Sequence, residues 1–176
     1  MLQVANFLFA DGNLDALEMR THFALWSIMG APLILGHDLS DFADEPAAGR
    51  MTRAQFVDIV ANPKVIAVNQ DIGATIQGRN RTAAGAGGRE VWSKPRSGGA
   101  LAVLLLNAAP TNQTLTIRAD RAVLGLPTPA AKRAVRDLWT RKDLGDHAGG
   151  FSAKVAWHDA MLIKVEAPHA AAVEGA

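Results

Sequence analysis

The chain has 176 residues, carries 18 Lys and Arg against 17 Asp and Glu, and contains neither Cys nor Tyr. That length suits about one or two domains of roughly 100–200 residues each and falls short of the ~200 residues that a complete (β/α)₈ barrel needs. The net charge of +1 leaves no basic excess for nucleic acid, the lack of Cys excludes disulfides and Cys-ligated zinc within the chain, and no run reaches the ~18 apolar residues of a membrane helix, so neither nucleic acid nor membrane is an expected partner.

Taken in chain order, Met1–Ala10 is apolar without a basic flank and runs into Asp11, which reads as a strand end rather than a secretory leader. Leu17, Phe23, Leu25, Trp26, Ile28 and Met29 recur at helical spacing. Asp15 and Glu18 sit in the first turn of that helix, and Gly30 and Pro32 stop it. Leu33-Ile34-Leu35 is wholly apolar, as in a strand buried on both faces of a parallel sheet. Thr52-Arg53-Ala54-Gln55 is a capping box that opens a second helix, with Phe56, Ile59 and Val60 inward and Asn62-Pro63 at its end. Val65-Ile66-Ala67-Val68 is apolar but carries no clear period. Residues 72–89 are rich in Gly, Arg and Thr and read as a loop region with room for one strand.

From Glu90 the pattern turns all-β. Strands are expected at Glu90–Lys94, Ala100–Leu106, Thr114–Arg118, Ala134–Trp139, Ala153–Val155 and Met161–Val165. Short strands separated by turn residues argue for a sandwich or a barrel. Ala167–Ala176 is Ala-rich and aperiodic, as in a frayed tail. A lone buried strand between helices has no neighbours within residues 1–71, so the first segment reads as part of something larger.

Few residues offer chemistry. Asp38, Asp41, Asp44 and Glu45 cluster after the apolar run, but without the alternate-oxygen spacing and central Gly of a calcium loop they read as a solvated loop. His22 falls beside the apolar helix face and reads as a hydrogen-bonded core residue. His37 follows the apolar run and would sit at an active-site rim if that run belonged to a barrel. Gly85–Gly88 lacks the Lys-Ser/Thr ending of a phosphate loop. Arg79, Arg81, Arg89 and Arg96 read as a solvated basic face. Trp26, Trp92, Trp139 and Trp157 read as core or interface residues, with stacking on a sugar as the alternative. No metal or organic cofactor is implied.

Five blocks, in order, carry a resemblance. They are Met1-Leu2-Gln3-Val4, Arg20–Leu39 (RTHFALWSIMGAPLILGHDL), Val65–Asp71 (VIAVNQD), Glu90–Pro95 (EVWSKP) and Val135–Trp139 (VRDLW), the last extending through Lys142–Gly145. Together they resemble the α-galactosidase (melibiase) family of retaining glycoside hydrolases, glycoside hydrolase family 27. The resemblance implies an α/β plus all-β fold: the incomplete C-terminal part of a (β/α)₈ barrel followed by an antiparallel β-sandwich. Residues 1–73 would be barrel, 74–167 sandwich and 168–176 a disordered tail. The helix at 15–30 would be the seventh, Leu33–Leu35 the eighth strand and Thr52–Ala61 the eighth helix.

The family works with two Asp carboxylates, ~5–5.5 Å apart in retaining geometry. Both belong to motifs that lie upstream of Met1, so no catalytic residue is assigned, and Asp38 and Asp41 are not promoted to the role. Met1 corresponds to the pocket-lining Met of the motif Asn-Asp-Pro-Asp-Met-Leu and is the one expected substrate-binding residue. A sequence that opens inside that motif suggests a misplaced start codon or a truncated gene. His37 stands where the family has Asn, and Asp71-Ile72-Gly73 replaces Asp-Pro-Leu-Gly, which loosens inference about the sugar. The implied partner of the full-length enzyme is an α-galactoside. A helix layer cut from its barrel would leave an apolar edge, which predicts homo-oligomerisation or aggregation. A non-catalytic sandwich that contacts a carbohydrate or a protein is the alternative.

Overall fold

Asp15 opens the first element. Its carboxylate accepts from the N–H groups of Leu17 and Glu18, both at 2.8 Å, while the Glu18 carboxylate accepts from the Asp15 N–H at 3.1 Å. In the computed structural model, which describes residues 14–36, 51–82, 86–126 and 131–168, this capping box starts helix α1, Ala16–Met29. Gly30 ends it with φ 67, a left-handed conformation that costs L-residues with a Cβ. Met19, Phe23, Ala24 and Ile28 form the buried stripe. Leu17, expected on the apolar face, is instead exposed, because it lies two positions from Met19 and so points nearly opposite.

Helix α2, Arg53–Val60, begins at the Thr52–Gln55 capping box and buries Phe56 and Ile59. Asn62 both closes that segment and opens the next. Its side-chain oxygen accepts from the N–H groups of Lys64 and Val65, and Pro63 occupies the first helical position, giving α3, Pro63–Gln70. The unassigned run Val65–Val68 is therefore helical. Leu33–Leu35 forms no strand: only Leu35 makes an isolated bridge, and Ile34 is exposed. A three-residue run cannot build a ladder without a neighbour on each edge.

The β region holds β1 (Arg79–Asn80), β2 (Arg89–Pro95), β3 (Leu101–Asn107), β4 (Leu115–Asp120), the short helix α4 (Arg121–Leu124), β5 (Arg133–Asp137), β6 (Asp143–His147), β7 (Gly150–Val155) and β8 (Ala160–Val165). One sheet has six strands in the order β1-β2-β3-β8-β5-β6, and β4 pairs with β7 in a second. Every ladder between these strands is antiparallel. The six expected strands all appear with boundaries shifted by a few residues, β1 is the one strand that residues 72–89 had room for, and β6 and α4 are additions.

Alternation along β3 explains the layering. Ala102, Leu104 and Leu106 join Phe23, Ile28, Phe56, Val65 and Val68 in a core between the sheet and the helices. Val103 and Leu105 join Leu115, Ile117 and Val155 in a core between the two sheets. The six-stranded sheet is thus covered on both faces, which is why β3 reads as a continuous apolar run.

Candidate functional site

Two polar clusters tie the helices to the sheets. The first forms at the end of α3. Lys94 of β2 points to the helix side of the sheet, in register with Ala102, and is wholly buried. Its ammonium donates to the carbonyls of Val68 at 2.7 Å and Asn69 at 3.2 Å. Arg96 donates from Nη2 to the Ala67 carbonyl at 3.1 Å and from Nε to Asp71 at 3.1 Å. Carbonyls of the last helical turn lack intrahelical partners and carry the negative end of the dipole, so two cations from β2 satisfy both needs.

Asp71 completes this cluster. Its carboxylate accepts from the Ser97 hydroxyl at 2.7 Å and from the backbone N–H groups of Ser97 and Gly73. The Ser97 hydroxyl is the main reason its carboxyl lies below its ordinary 3.8; the two backbone donors and the Arg96 guanidinium act in the same direction against partial burial. Burial pushes the Lys94 ammonium below its ordinary 10.5, with Asp71 opposing and Arg96 assisting. Asn69 extends the cluster by donating from Nδ2 to the Ala31 carbonyl at 2.8 Å. A continuous path therefore runs from β2 through α3 to the segment that precedes Leu33–Leu35.

The second cluster fixes α1 on the turn between β7 and β8. Arg20 Nη2 lies 2.6 and 2.7 Å from the two Asp159 oxygens, and the Thr21 hydroxyl donates to the His158 carbonyl at 2.8 Å. Glu18 meets His158 Nδ1 at 2.6 Å. His158 adopts φ 60 and stacks on Trp157 with centroids 3.6 Å apart. The carboxylates of Asp15, Glu18, Asp71, Asp120, Asp137 and Asp159 all accept short bonds from caps, turns or cations. That is the chemistry of docking, in which each acid commits at least one oxygen to a cap, a turn or a cation.

Of the residues singled out from sequence, Met1, His37, Asp38, Asp41, Asp44, Glu45 and the tail beyond Pro168 lie outside the described residues. His22 is half-buried and meets Trp26 edge-on at 5.8 Å, yet its Nδ1 is buried without a hydrogen-bond partner among the described residues. The expected hydrogen bond is not made at Nδ1, and His22 borders a groove whose wall mixes Leu14, Leu25, Leu106 and Ala109 with Glu18, Thr21, Asn107 and His158. Burial lowers its pKa from the ordinary 6.5. Arg96, read as part of a solvated face, is instead largely buried against Asp71. Arg81 donates to the Ser93 hydroxyl and Arg89 to the Thr116 carbonyl. All four Trp are half-buried, as expected of interface residues. Sequence reading passed over Lys94 and Asp71 as individuals, although both stand inside the quoted blocks EVWSKP and VIAVNQD. Among the described residues no group of His, Asp and Glu could hold a metal ion, and no helix is long and apolar enough to cross a membrane.

Residues 86–165 match the model of the α-galactosidase C-terminal β-sandwich domain. Alpha-galactosidase 3 of Arabidopsis thaliana is 36% identical over 165 residues, covering 92% of this chain and 33% of that protein. The α-galactosidase of Coffea arabica is 36% identical over 162 residues, covering 92% of the chain and 37% of the relative. The crystal structure of α-galactosidase I from Mortierella vinacea superposes with a TM-score of 0.74 over 93% of this chain and 39% of that one, at 24% identity, a likeness of fold. The chain spans about a third of the length of the curated relatives it matches.

Proposed function

Because the chain belongs to the α-galactosidase (melibiase) family and carries its C-terminal β-sandwich, we propose that it is the C-terminal part of a retaining glycoside hydrolase acting on terminal α-D-galactosyl residues. In this reading residues 1–73 are the end of a (β/α)₈ barrel, 74–167 the sandwich, and both catalytic carboxylates lie outside the chain. Met1 would line the sugar pocket of the whole enzyme.

One observation carries the reading. Similarity to the plant enzymes runs over 92% of the chain, well past the sandwich at 86–165 and through the layer of α1–α3. The segment that holds those helices also keeps apolar side chains exposed: Val57 on α2 is 47% exposed, and Ile34, Ile72 and Ile76, outside the helices, are 60%, 70% and 62% exposed. A layer of further barrel elements would cover such side chains, each worth roughly 1.5–3 kcal/mol on full burial. The isolated chain would cover them by self-association instead.

The test is the native gene product, measured by intact mass and by hydrolysis of p-nitrophenyl α-D-galactoside. A species well above 18.6 kDa that turns the substrate over supports the proposal, and the purified 176-residue chain is expected to show no turnover. Hydrolysis by the pure chain refutes the placement of the catalytic pair. A native product of the chain's own mass, inactive and monodisperse, favours the non-catalytic sandwich.

A further inference from the structure

The corner where α1, the β5–β6 turn and the β7–β8 turn meet holds a pocket of about 220 Å³. At ~30 Å³ per water that is room for about seven waters, comparable to one sugar ring. Its wall divides by chemistry. Trp139, Val155 and Met161 supply apolar surface, and Arg20, Asp137, Thr140, Lys154 and Asp159 supply polar groups. Arg20 and Lys154 balance Asp137 and Asp159, so the pocket has no net charge to select a bare ion.

The polar groups keep capacity to spare. Asp137 uses Oδ1 to accept from the Trp139 and Thr140 N–H groups, at 2.8 and 3.3 Å, which leaves Oδ2 for a donor. Arg20 engages Asp159 through Nη2. Its Nε and the Trp139 Nε1 are buried donors without a partner among the described residues. Thr140 and Lys154 are exposed at its mouth.

We propose that this pocket is an accessory binding site for one neutral sugar ring, held between the Trp139 indole and the Asp137, Thr140, Lys154 and Arg20 side chains. A polyhydroxy ring fits where an anion or a hydrocarbon does not. Its hydroxyls donate to Asp137 and accept from Lys154 and Thr140. Its C–H face lies on apolar wall. The site needs no residue outside the described chain, so it stands or falls independently of where the catalytic carboxylates are.

The test is titration of the full ¹⁵N-labelled chain with methyl α-D-galactopyranoside, following the indole N–H resonances and assigning Trp139 by Trp139→Phe. A saturable shift of the Trp139 resonance at millimolar sugar is expected, with Trp26 unmoved. Thr140→Val and Lys154→Ala, both surface changes, should each weaken binding about fivefold. Saturation-transfer difference spectra of the sugar's own protons give the same readout if the chain self-associates. A linear response, an equal response to glycerol, binding unchanged in both variants, or a response to inorganic phosphate in place of the sugar would each overturn the assignment.

Discussion

Replacing Lys94 by Met tests whether a buried ammonium docks the helices on the sheet. Methionine keeps most of the stem volume, so the cavity contribution is small. The change leaves the Val68 and Asn69 carbonyls unmet, at about 1–3 kcal/mol each. It also removes a cation from the last turn of α3, a further ~0.3–1 kcal/mol. Relief of the desolvated charge, which Asp71 offsets only in part, opposes both. A net loss of about 2 kcal/mol is expected. With a urea slope of about 1–3 kcal/mol/M, the unfolding midpoint, read from Trp fluorescence, should fall by roughly 1 M. A pH series sharpens the test. The folded chain binds Lys94's proton less tightly than the unfolded chain, whose group titrates near 10.5. Between the lowered value and 10.5 the unfolded state holds more protons, so wild-type stability gains from this group as pH rises. The gap between wild type and Lys94→Met should therefore widen toward alkaline pH. An unchanged or raised midpoint in the variant, or a gap that narrows, would refute the docking role.

Asp71→Asn should destabilise at neutral pH, and because the carboxyl lies below 3.8 when folded, its contribution is present above that value and fades as pH falls through the lowered one; denaturation at pH 7 and pH 2.5 measures both. Gly30→Ala should cost about 1–3 kcal/mol in the same assay, since the new methyl adopts a left-handed backbone and meets the Ile76 carbonyl oxygen. His22 should titrate below 6.5 by NMR, so its part of the stability is present above 6.5 and lost as the imidazole is forced to charge at lower pH; a midpoint at or above 6.5 contradicts its burial. A fragment beginning at residue 74 should aggregate or bind a hydrophobic dye, because Ala102, Leu104, Leu106 and Leu162 lose the helices that cover them.

Local signals in the sequence were legible wherever the partner sat within a few residues. Asp15 with Glu18, Thr52 with Gln55, and Gly30 marked helix ends that the structure reproduces. Asn62-Pro63 was read as a stop, yet the same pair is a start signal, an N-cap followed by Pro at the first helical position. The helix after it was hidden because four β-branched or small apolar residues suit either state. Strand β6, sequence DLGDH, offers only Leu144 to a periodicity argument. Its ladder with β5 and the Arg136–Asp143 pair hold it, and both are contacts that no local window contains. Lys94 was unremarkable for the same reason: the carbonyls it serves are about 25 residues away in sequence. The carboxylates at 38–45 and Met1, where the resemblance concentrated its interest, lie outside the described residues.

The limits of the sandwich as a sequence family and as a folding unit differ, and the central strand shows why. The match to the sandwich model starts at residue 86, and by that measure α1–α3 are a separate piece. Yet alternate residues of β3 belong to two cores, one of which is half helix. An antiparallel sheet that faced water on its outer side would carry polar residues at 102, 104 and 106. Those positions are Ala, Leu and Leu, with a Lys in register with Ala102 whose ammonium is aimed at the end of α3. The sheet is therefore built to be covered, and its cover is built to be docked by charge at the α3 terminus and at the β7–β8 turn. The cover thus spends one face on this sheet, while Val57 of α2 and Ile34, Ile72 and Ile76 in the segments beside the helices stay in solvent.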